Sequence, residues 1–193
     1  MQSPFWKAKG KEKESLEADF LSIIQSCRLL GIKYIVVPLV DNGSIENSTQ
    51  LENLFLFFEK NKKTLEDSSV MLVFESDYKP SHLRKFISKL DKNLFGINYD
   101  IGNSSALGFN PEEEFFEYGN RIRNVHVKDR PLGGTTVPLG EGHANFPEVF
   151  NLLKKYSYSG NYILQTARSE NDDHSSVLKT YKDFTQELIK LAN

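Results

Sequence analysis

Four polar residues stand at the ends of short apolar segments, and their side chains are well suited to chemistry. These residues are Glu75, Asp100, His126 and Gln165, and the intervals between them are 25, 26 and 39 residues. The segments before them are rich in Val, Ile, Phe and Tyr, which is typical of buried strands. A strand and its helix take about 31 residues in an eightfold barrel, which is close to these intervals. Carboxylate and imidazole groups at strand ends can bind a cation or carry a proton.

The segment between Asp100 and His126 shows how the chain positions two of these residues. Asn110 can cap a helix, Pro111 suits its first turn, and the glutamates at 112–114 favour the positive end of the helix dipole. A helix between two apolar strands makes a β-α-β unit. Parallel strands joined in this way end at the same edge of their sheet, which we call the carboxyl edge. We therefore expect Asp100 and His126 to lie side by side there.

The rest of the chain repeats this alternation of helix and strand. Apolar periodicity predicts helices over residues 12–30, 48–65, 80–90, 146–153 and 177–191, besides the one that opens at 110, and strands over 33–40, 70–74, 95–99, 122–127 and 162–164. Strict alternation predicts a parallel sheet with right-handed crossovers, whether the sheet is open or closed into a barrel. Residues 130–142 contain four glycines and two prolines, so we expect a loop whose backbone can approach a ligand.

Length and composition limit the kind of protein. The 193 residues, 39% hydrophobic and 12% aromatic, can bury a sizeable core, and one domain over residues 1–193 is expected. The net charge of -2 comes from 24 basic and 26 acidic residues mixed along the chain, so no nucleic-acid partner is expected. A single cysteine, Cys27, suits a core position in a reducing cytosol. The sequence has no signal-peptide pattern and no long apolar run, which predicts a cytoplasmic protein without membrane contact.

Short motifs in a fixed order suggest a family. They are VFE at 73–75, NYDIGN at 98–103, NVHVKD at 124–129, PLGEGHANF at 138–146, YSG at 158–160 and ILQTAR at 163–168. Together they resemble the sugar phosphate isomerase/epimerase family of xylose isomerase-like TIM barrels. The resemblance runs from about Leu16 to the C-terminus. It implies an α/β fold, an incomplete (β/α)8 TIM barrel of about five parallel strands, the fourth to the eighth, with their helices.

Such an incomplete barrel would leave residues 33–40 as an edge strand. The resemblance places this segment at the fourth barrel strand, so the first three would be absent from the chain. Edge strands carry unpaired backbone N–H and C=O groups that invite pairing with another chain. Self-association into a homo-oligomer is therefore expected.

The resemblance also implies a site at the carboxyl edge. In that family the last four strands hold a divalent metal, which carries over onto Glu75, Asp100, His126 and Gln165. Gln165 departs from the family's glutamate, because an amide oxygen can bind a metal but cannot act as a base. Of the two catalytic positions, Glu75 and Gln165, only Glu75 then offers a base. The residues expected to bind substrate are Asn103, Lys128 and Arg168.

These residue types suit the chemistry of a sugar isomerase or epimerase. Carboxylates with one imidazole suit Mn²⁺, Mg²⁺, Co²⁺ or Zn²⁺. Moving a proton next to a carbonyl needs a Lewis acid for the developing enediolate and a carboxylate to carry the proton. Glu75 alone can serve only one face of the sugar, which favours isomerase over epimerase. The small-molecule partner would be a sugar or sugar phosphate.

Other interpretations stay open at this point. The chain could be a catalytically impaired or non-enzymatic sugar-binding relative, because of Gln165 and the missing strands. A metal-dependent endonuclease is a third alternative, although it needs more histidines and a basic groove. Asp100 could be a turn former, His126 a core histidine and Glu75 a strand-end carboxylate. Paired surface charges would account for Lys128, Asp129 and Arg168.

Overall fold

A computed structural model describes residues 4–169 and 171–192 of the chain. The helices are α1 (Gly10–Leu29), α2 (Ser48–Lys60), α3 (Lys62–Ser68), α4 (Pro80–Ile87), α5 (Ile101–Leu107), α6 (Pro111–Tyr118), α7 (Phe146–Lys155) and α8 (His174–Ala192). The strands are β1 (Tyr34–Leu39), β2 (Met71–Ser76), β3 (Phe95–Asp100), β4 (Ile122–Val127) and β5 (Asn161–Leu164). Short 3-10 helices lie at Asp41–Gly43 and Gly119–Arg121. Strands alternate with helical segments as predicted, but two helices stand in place of one before β2 and before β4.

The strands form one five-stranded parallel sheet in the order β1-β2-β3-β4-β5. Each strand lies beside the strand that follows it in the chain, and helices connect the successive strands. The predicted α/β fold with about five parallel strands is confirmed. Among the residues described, none of the helices combines the length and apolar character needed to cross a membrane. The cytoplasmic location stays a prediction.

The chain divides into two compact units. Unit 1 contains residues up to Ser76 and Leu90–Gly96, and unit 2 contains Asp77–Lys89 and the residues from Ile97 onward. The expectation of one domain over residues 1–193 stays a prediction.

Unit 1 is built around an aromatic cluster that the periodicity did not reveal. Phe5, which precedes the first predicted helix, packs its ring against Phe57 with centroids 4.3 Å apart and against Phe20 at 5.6 Å. Trp6 is 2% exposed and donates its indole N–H to the carbonyl of Gly43 over 3.2 Å. Fully burying a large apolar side chain contributes about 1.5–3 kcal/mol, so these N-terminal aromatic residues belong to the core. Cys27 is buried, as predicted.

The helix predicted over residues 48–65 is wrong in one respect, because the structure has two helices there. Asn61 lies between α2 and α3, with φ -109° and ψ 14°. Its side-chain amide donates to the carbonyl of Phe57 over 2.8 Å and so satisfies a carbonyl at the end of α2. The apolar period continues through the break, which is why the sequence pattern predicted one helix.

Unit 2 contains a helix, α5, that the sequence did not predict. The segment IGNSSAL has little apolar periodicity, so its helical structure depends on its ends. Asp100 caps the first turn, and Gly108, with φ +69°, ends the helix in the left-handed conformation that glycine adopts without strain. Helix α6 begins at Pro111 with Asn110 as its cap, as predicted. Two helices therefore separate β3 from β4.

Candidate functional site

Asp100 is the centre of the site in unit 2. It ends β3 and is 3% exposed. One carboxylate oxygen, Oδ1, accepts the backbone N–H of Asn103 over 2.8 Å and so caps α5. The other oxygen, Oδ2, faces His126 and Lys128. The turn-forming interpretation of Asp100 is therefore correct for one oxygen only, because the second oxygen has other neighbours.

His126 lies beside Asp100, as the β-α-β unit predicted. The two residues are direct partners in the register of β3 and β4, and Nδ1 of His126 is 3.6 Å from Oδ2 of Asp100. The side-chain amide nitrogen of Asn98 is 3.2 Å from the same Nδ1, and its oxygen accepts from the amide of Asn124 over 2.6 Å. In this orientation Asn98 donates to Nδ1, so Nδ1 carries no proton and its lone pair accepts this hydrogen bond. A neutral imidazole is the form that binds metals.

The amides of Asn98 and Asn124 form a hydrogen-bonded pair beside His126, and the sequence did not predict this pair. They are 2% and 4% exposed, and they lie side by side on β3 and β4 two residues before Asp100 and His126. Their signal in the sequence is the repeat of polar and apolar residues in NYD and NVH. Because buried amides need partners, this pair fixes the orientation of the imidazole.

Lys128 reaches the same place from the residue after β4. Its ammonium is 3.5 Å from Oδ2 of Asp100, 3.2 Å from Oδ1 of Asn103 and 3.3 Å from Oε1 of Gln165. Its side chain is only 13% exposed. A Cβ atom at Gly102 would come within 2.6 Å of Cγ of Lys128, so glycine leaves the room that the lysine stem needs.

Asp129 does not lie at the surface. It is 1% exposed, and its carboxylate accepts the backbone N–H groups of Gly140, Gly142 and Ala144 over 2.8, 2.9 and 3.1 Å. Its backbone also forms an isolated antiparallel bridge with Val137. The interpretation of Asp129 as a surface charge is wrong, because its carboxylate holds both sides of the glycine-rich loop together.

Arg130 is a further cation near the site that the sequence reasoning missed. Its guanidinium donates to Oδ1 of Asn103 over 2.8 Å and to the carbonyl of Gly134 over 2.8 and 2.5 Å. Two cationic side chains, Lys128 and Arg130, therefore meet at the side-chain oxygen of Asn103. Cations in this arrangement suit a phosphate or a carboxylate.

The remaining predicted residues lie at strand ends or beyond them. Glu75, in unit 1, is the last residue but one of β2 and is 9% exposed. Gln165 follows β5, and its backbone N–H donates to the carbonyl of Val127 over 3.1 Å. Arg168 is an exposed residue three positions further on. The structure brings Asp100, His126, Asn103, Lys128 and Gln165 together within unit 2. The roles given to all of these residues stay predictions.

Three donor types meet in unit 2: a carboxylate oxygen, an imidazole nitrogen and an amide oxygen. This set fits Mn²⁺, Mg²⁺, Co²⁺ or Zn²⁺, which accept oxygen and nitrogen ligands. Hydrogen bonds from Asn103 and Asn98 orient the carboxylate of Asp100 and the imidazole of His126, as the ligands of a metal centre require.

A parallel α/β sheet with polar residues at its carboxyl edge defines the class of protein, and comparison identifies the family. The family model described as xylose isomerase-like TIM barrel matches residues 3–185, and the chain belongs to this family. L-ribulose-5-phosphate 3-epimerase UlaE of Escherichia coli (strain K12 / DH10B) is 28% identical over 193 residues, which cover 92% of this chain and 66% of the epimerase.

Two further comparisons bear on the fold and the class of relatives. Inosose dehydratase of Clostridium botulinum (strain Alaska E43 / Type E3) is 25% identical over 187 residues, which cover 78% of this chain and 62% of the dehydratase. The chain thus spans about two thirds of the length of these two curated relatives. The crystal structure of the IOLI protein with a bound zinc atom superposes with a TM-score of 0.80 at 17% identity, covering 98% of this chain and 74% of that one. The five-stranded sheet is therefore part of a TIM barrel.

Proposed function

We propose that the chain carries the site of a sugar or sugar-phosphate isomerase or epimerase that depends on a divalent metal. The observation that carries this proposal is the in-register pair of Asp100 and His126, in which Nδ1 lies 3.6 Å from a buried carboxylate oxygen. A carboxylate and a neutral imidazole at this distance suit a shared cation. The names of the relatives, an epimerase and an inosose dehydratase, support a sugar-like substrate.

Four residues are proposed as the metal ligands. Glu75, Asp100 and His126 supply two carboxylates and an imidazole, and Gln165 supplies its amide oxygen. Strands β2 to β5 are successive neighbours in the sheet, and parallel strands present their ends at the same edge. When bound, Mn²⁺, Mg²⁺, Co²⁺ or Zn²⁺ supplies the Lewis acid that stabilises a developing enediolate.

The chain's own residues would bind the sugar and move the proton. Glu75 is the proposed base that takes the proton from the carbon next to the carbonyl and returns it. Asn103, Lys128 and Arg168 are proposed to bind the hydroxyl groups or the phosphate of the substrate, as charge-assisted donors or acceptors. The amide of Gln165 is neither an acid nor a base near neutral pH, so proton transfer on one face of the sugar is favoured.

A second candidate function is sugar binding without catalysis. Gln165 favours it, because the position that carries a carboxylate in the resembling family carries an amide here. The two functions differ in one measurable step, which is the exchange of the sugar's proton with solvent.

Solvent exchange tests the proposal. Ketoses and ketose 5-phosphates would be incubated with the protein and Mn²⁺ in D₂O, and deuterium incorporation would be followed by NMR. We expect incorporation next to the carbonyl with the unaltered protein and none above background with Glu75→Gln. Glu59→Gln, an exposed glutamate on α2, is the matched control and should keep full exchange. Full exchange with Glu75→Gln would refute the role of Glu75, and ligand binding without exchange would favour the binding relative.

A further inference from the structure

The ammonium group of Lys128 lies among oxygens that the proposed metal would use. It contacts Oδ2 of Asp100 at 3.5 Å and Oε1 of Gln165 at 3.3 Å, and Oδ1 of Asn103 at 3.2 Å completes the set. The same Oδ2 of Asp100 faces the imidazole of His126. The lysine and a metal would therefore share two of the four proposed ligands.

The charges explain why a lysine suits this place. Of the three oxygens around the ammonium, only that of Asp100 is anionic, because Asn103 and Gln165 are amides. The side chain of Asp100 has no exposed surface, and a buried carboxylate without a counter-charge is strongly unfavourable. Lys128 supplies that counter-charge from a position 13% exposed.

The lysine stem is directed towards the site by packing. Gly102, in the first turn of α5, lies so close to the stem that a Cβ atom there would be 2.6 Å from Cγ and 3.0 Å from Cβ of Lys128. This contact guides the side chain along the start of α5 towards Asp100, which caps the same helix.

We propose that Lys128 is the resident cation of this site and that a divalent metal must displace its ammonium in order to bind. An ammonium and a metal ion at the same carboxylate oxygen would be only a few ångströms apart, and their repulsion prevents both from occupying it. The lysine thus lowers the affinity for the metal. The inference rests on the proposed function, because it uses the same metal ligands.

Displacement would also give the lysine a second position. Arg130 contacts the same Oδ1 of Asn103 that Lys128 contacts. An ammonium released from Asp100 would still be next to Asn103 and Arg130, where it could bind an anionic group of the substrate. Metal binding would therefore prepare the site for a sugar phosphate.

Metal titration of charge-neutral variants tests the inference. Isothermal titration calorimetry with Mn²⁺ should show tighter binding to Lys128→Met and Lys128→Gln than to the unaltered protein, by about tenfold or more. Lys155→Met, an exposed lysine at the end of α7, is the matched control and should leave the affinity unchanged. In EDTA the two Lys128 variants should melt at a lower temperature, and Mn²⁺ should raise their melting temperature more than that of the unaltered protein.

The outcomes separate this inference from the proposed function. Asp100→Asn identifies the site, because it should weaken Mn²⁺ binding in every background. If the unaltered protein binds Mn²⁺ through Asp100 and the Lys128 variants bind it equally or more weakly, the displacement inference is overturned and the proposed metal site stands. If no variant binds Mn²⁺, or if Asp100→Asn has no effect, both are overturned.

Discussion

At the scale of single residues, two features describe the site. One is the amide of Gln165, and the other is the set of hydrogen bonds that orient Asp100 and His126. Gln165 offers an amide oxygen, and that oxygen contacts the ammonium of Lys128 over 3.3 Å. Asp100 and His126 face each other with their orientations fixed by Asn103 and Asn98. The donor atoms of Asp100 and His126 are thus held by neighbouring groups, and the amide of Gln165 adds no negative charge to the site.

Restoring a carboxylate at this position should change both metal binding and chemistry. In Gln165→Glu an anionic oxygen replaces a neutral one, so we expect Mn²⁺ to bind about tenfold more tightly. A second base would also be present, and epimerisation of ketoses should rise while Glu75-dependent exchange stays largely intact. Calorimetry and NMR of the product stereoisomers measure the two effects. A fall in metal affinity would contradict the role given to Gln165.

At the scale of elements, the carboxylate of Asp129 is a main attachment of the glycine-rich loop after β4. Asp129 accepts N–H groups from Gly140 and Gly142 in this loop and from Ala144 just after it, and Arg130 donates to the carbonyl of Gly134. A Cβ atom at Gly142 would overlap the carboxylate, which explains the glycine there. The loop is thus fixed beside Asn103 and Lys128, the residues proposed to bind substrate.

Asp129→Asn should loosen this loop without unfolding the chain. The amide keeps one acceptor oxygen and loses the charge, and each charge-assisted hydrogen bond contributes about 1.5–3 kcal/mol. We expect faster hydrogen exchange at residues 140–144 and weaker binding of a ketose 5-phosphate. Hydrogen–deuterium exchange with mass spectrometry measures the first effect. Asp183→Asn, an exposed aspartate on α8, is the control. Unchanged exchange at residues 140–144 would show that the carboxylate does not hold the loop.

At the scale of the whole molecule, the chain belongs to the xylose isomerase-like TIM barrel family. A buried carboxyl group in unit 2, that of Glu114, contributes to the stability of the chain. Glu114, 2% exposed, accepts hydrogen bonds from the hydroxyl groups of Tyr99 over 2.8 Å, Tyr118 over 2.6 Å and Ser104. It thereby joins β3, α5 and α6. Self-association through the edge strand β1 stays a prediction.

Glu114 should make the stability of the folded chain depend on pH. Burial raises the pKa of Glu114 above its ordinary value of 4.5, against the opposing effect of the hydrogen bonds from Ser104, Tyr118 and Tyr99. A raised pKa means that the folded protein holds this proton more tightly than the unfolded chain does. The stabilising contribution is therefore fully present below pH 4.5 and is lost as the pH rises through the folded-state pKa.

Urea unfolding of Glu114→Gln and the unaltered protein between pH 4 and pH 8 measures this contribution, within the general pH range for carboxyl titration. The amide does not titrate, so the free energy of unfolding of the unaltered protein should fall relative to that of the variant as the pH rises. Glu112→Gln, whose side chain is exposed on the first turn of α6, is the matched control. A difference that is constant with pH would contradict the raised pKa.

The sequence by itself determined the order of the elements and the positions of the strand ends. Val, Ile, Phe and Tyr in short runs before Asp100 and His126 predicted two parallel strands, and Asn110 and Pro111 predicted the start of α6. These signals are local, because a strand or a helix start is set by the residues within it and next to it. The short motifs predicted the family, and the match to the family model confirms that prediction.

Only the tertiary structure decided which charged residues are buried and what they contact. Glu114 follows two exposed glutamates and looks like them in the sequence, yet three hydroxyl groups from other positions surround it. The carboxylate of Asp129 accepts a backbone N–H group of the glycine-rich loop, and the ammonium of Lys128 contacts the carboxylate of Asp100. The physical reason is that a buried charge is stable only when it has hydrogen-bond or charged partners, and these come from distant parts of the chain. The local periodicity of the sequence does not show which residues those partners are.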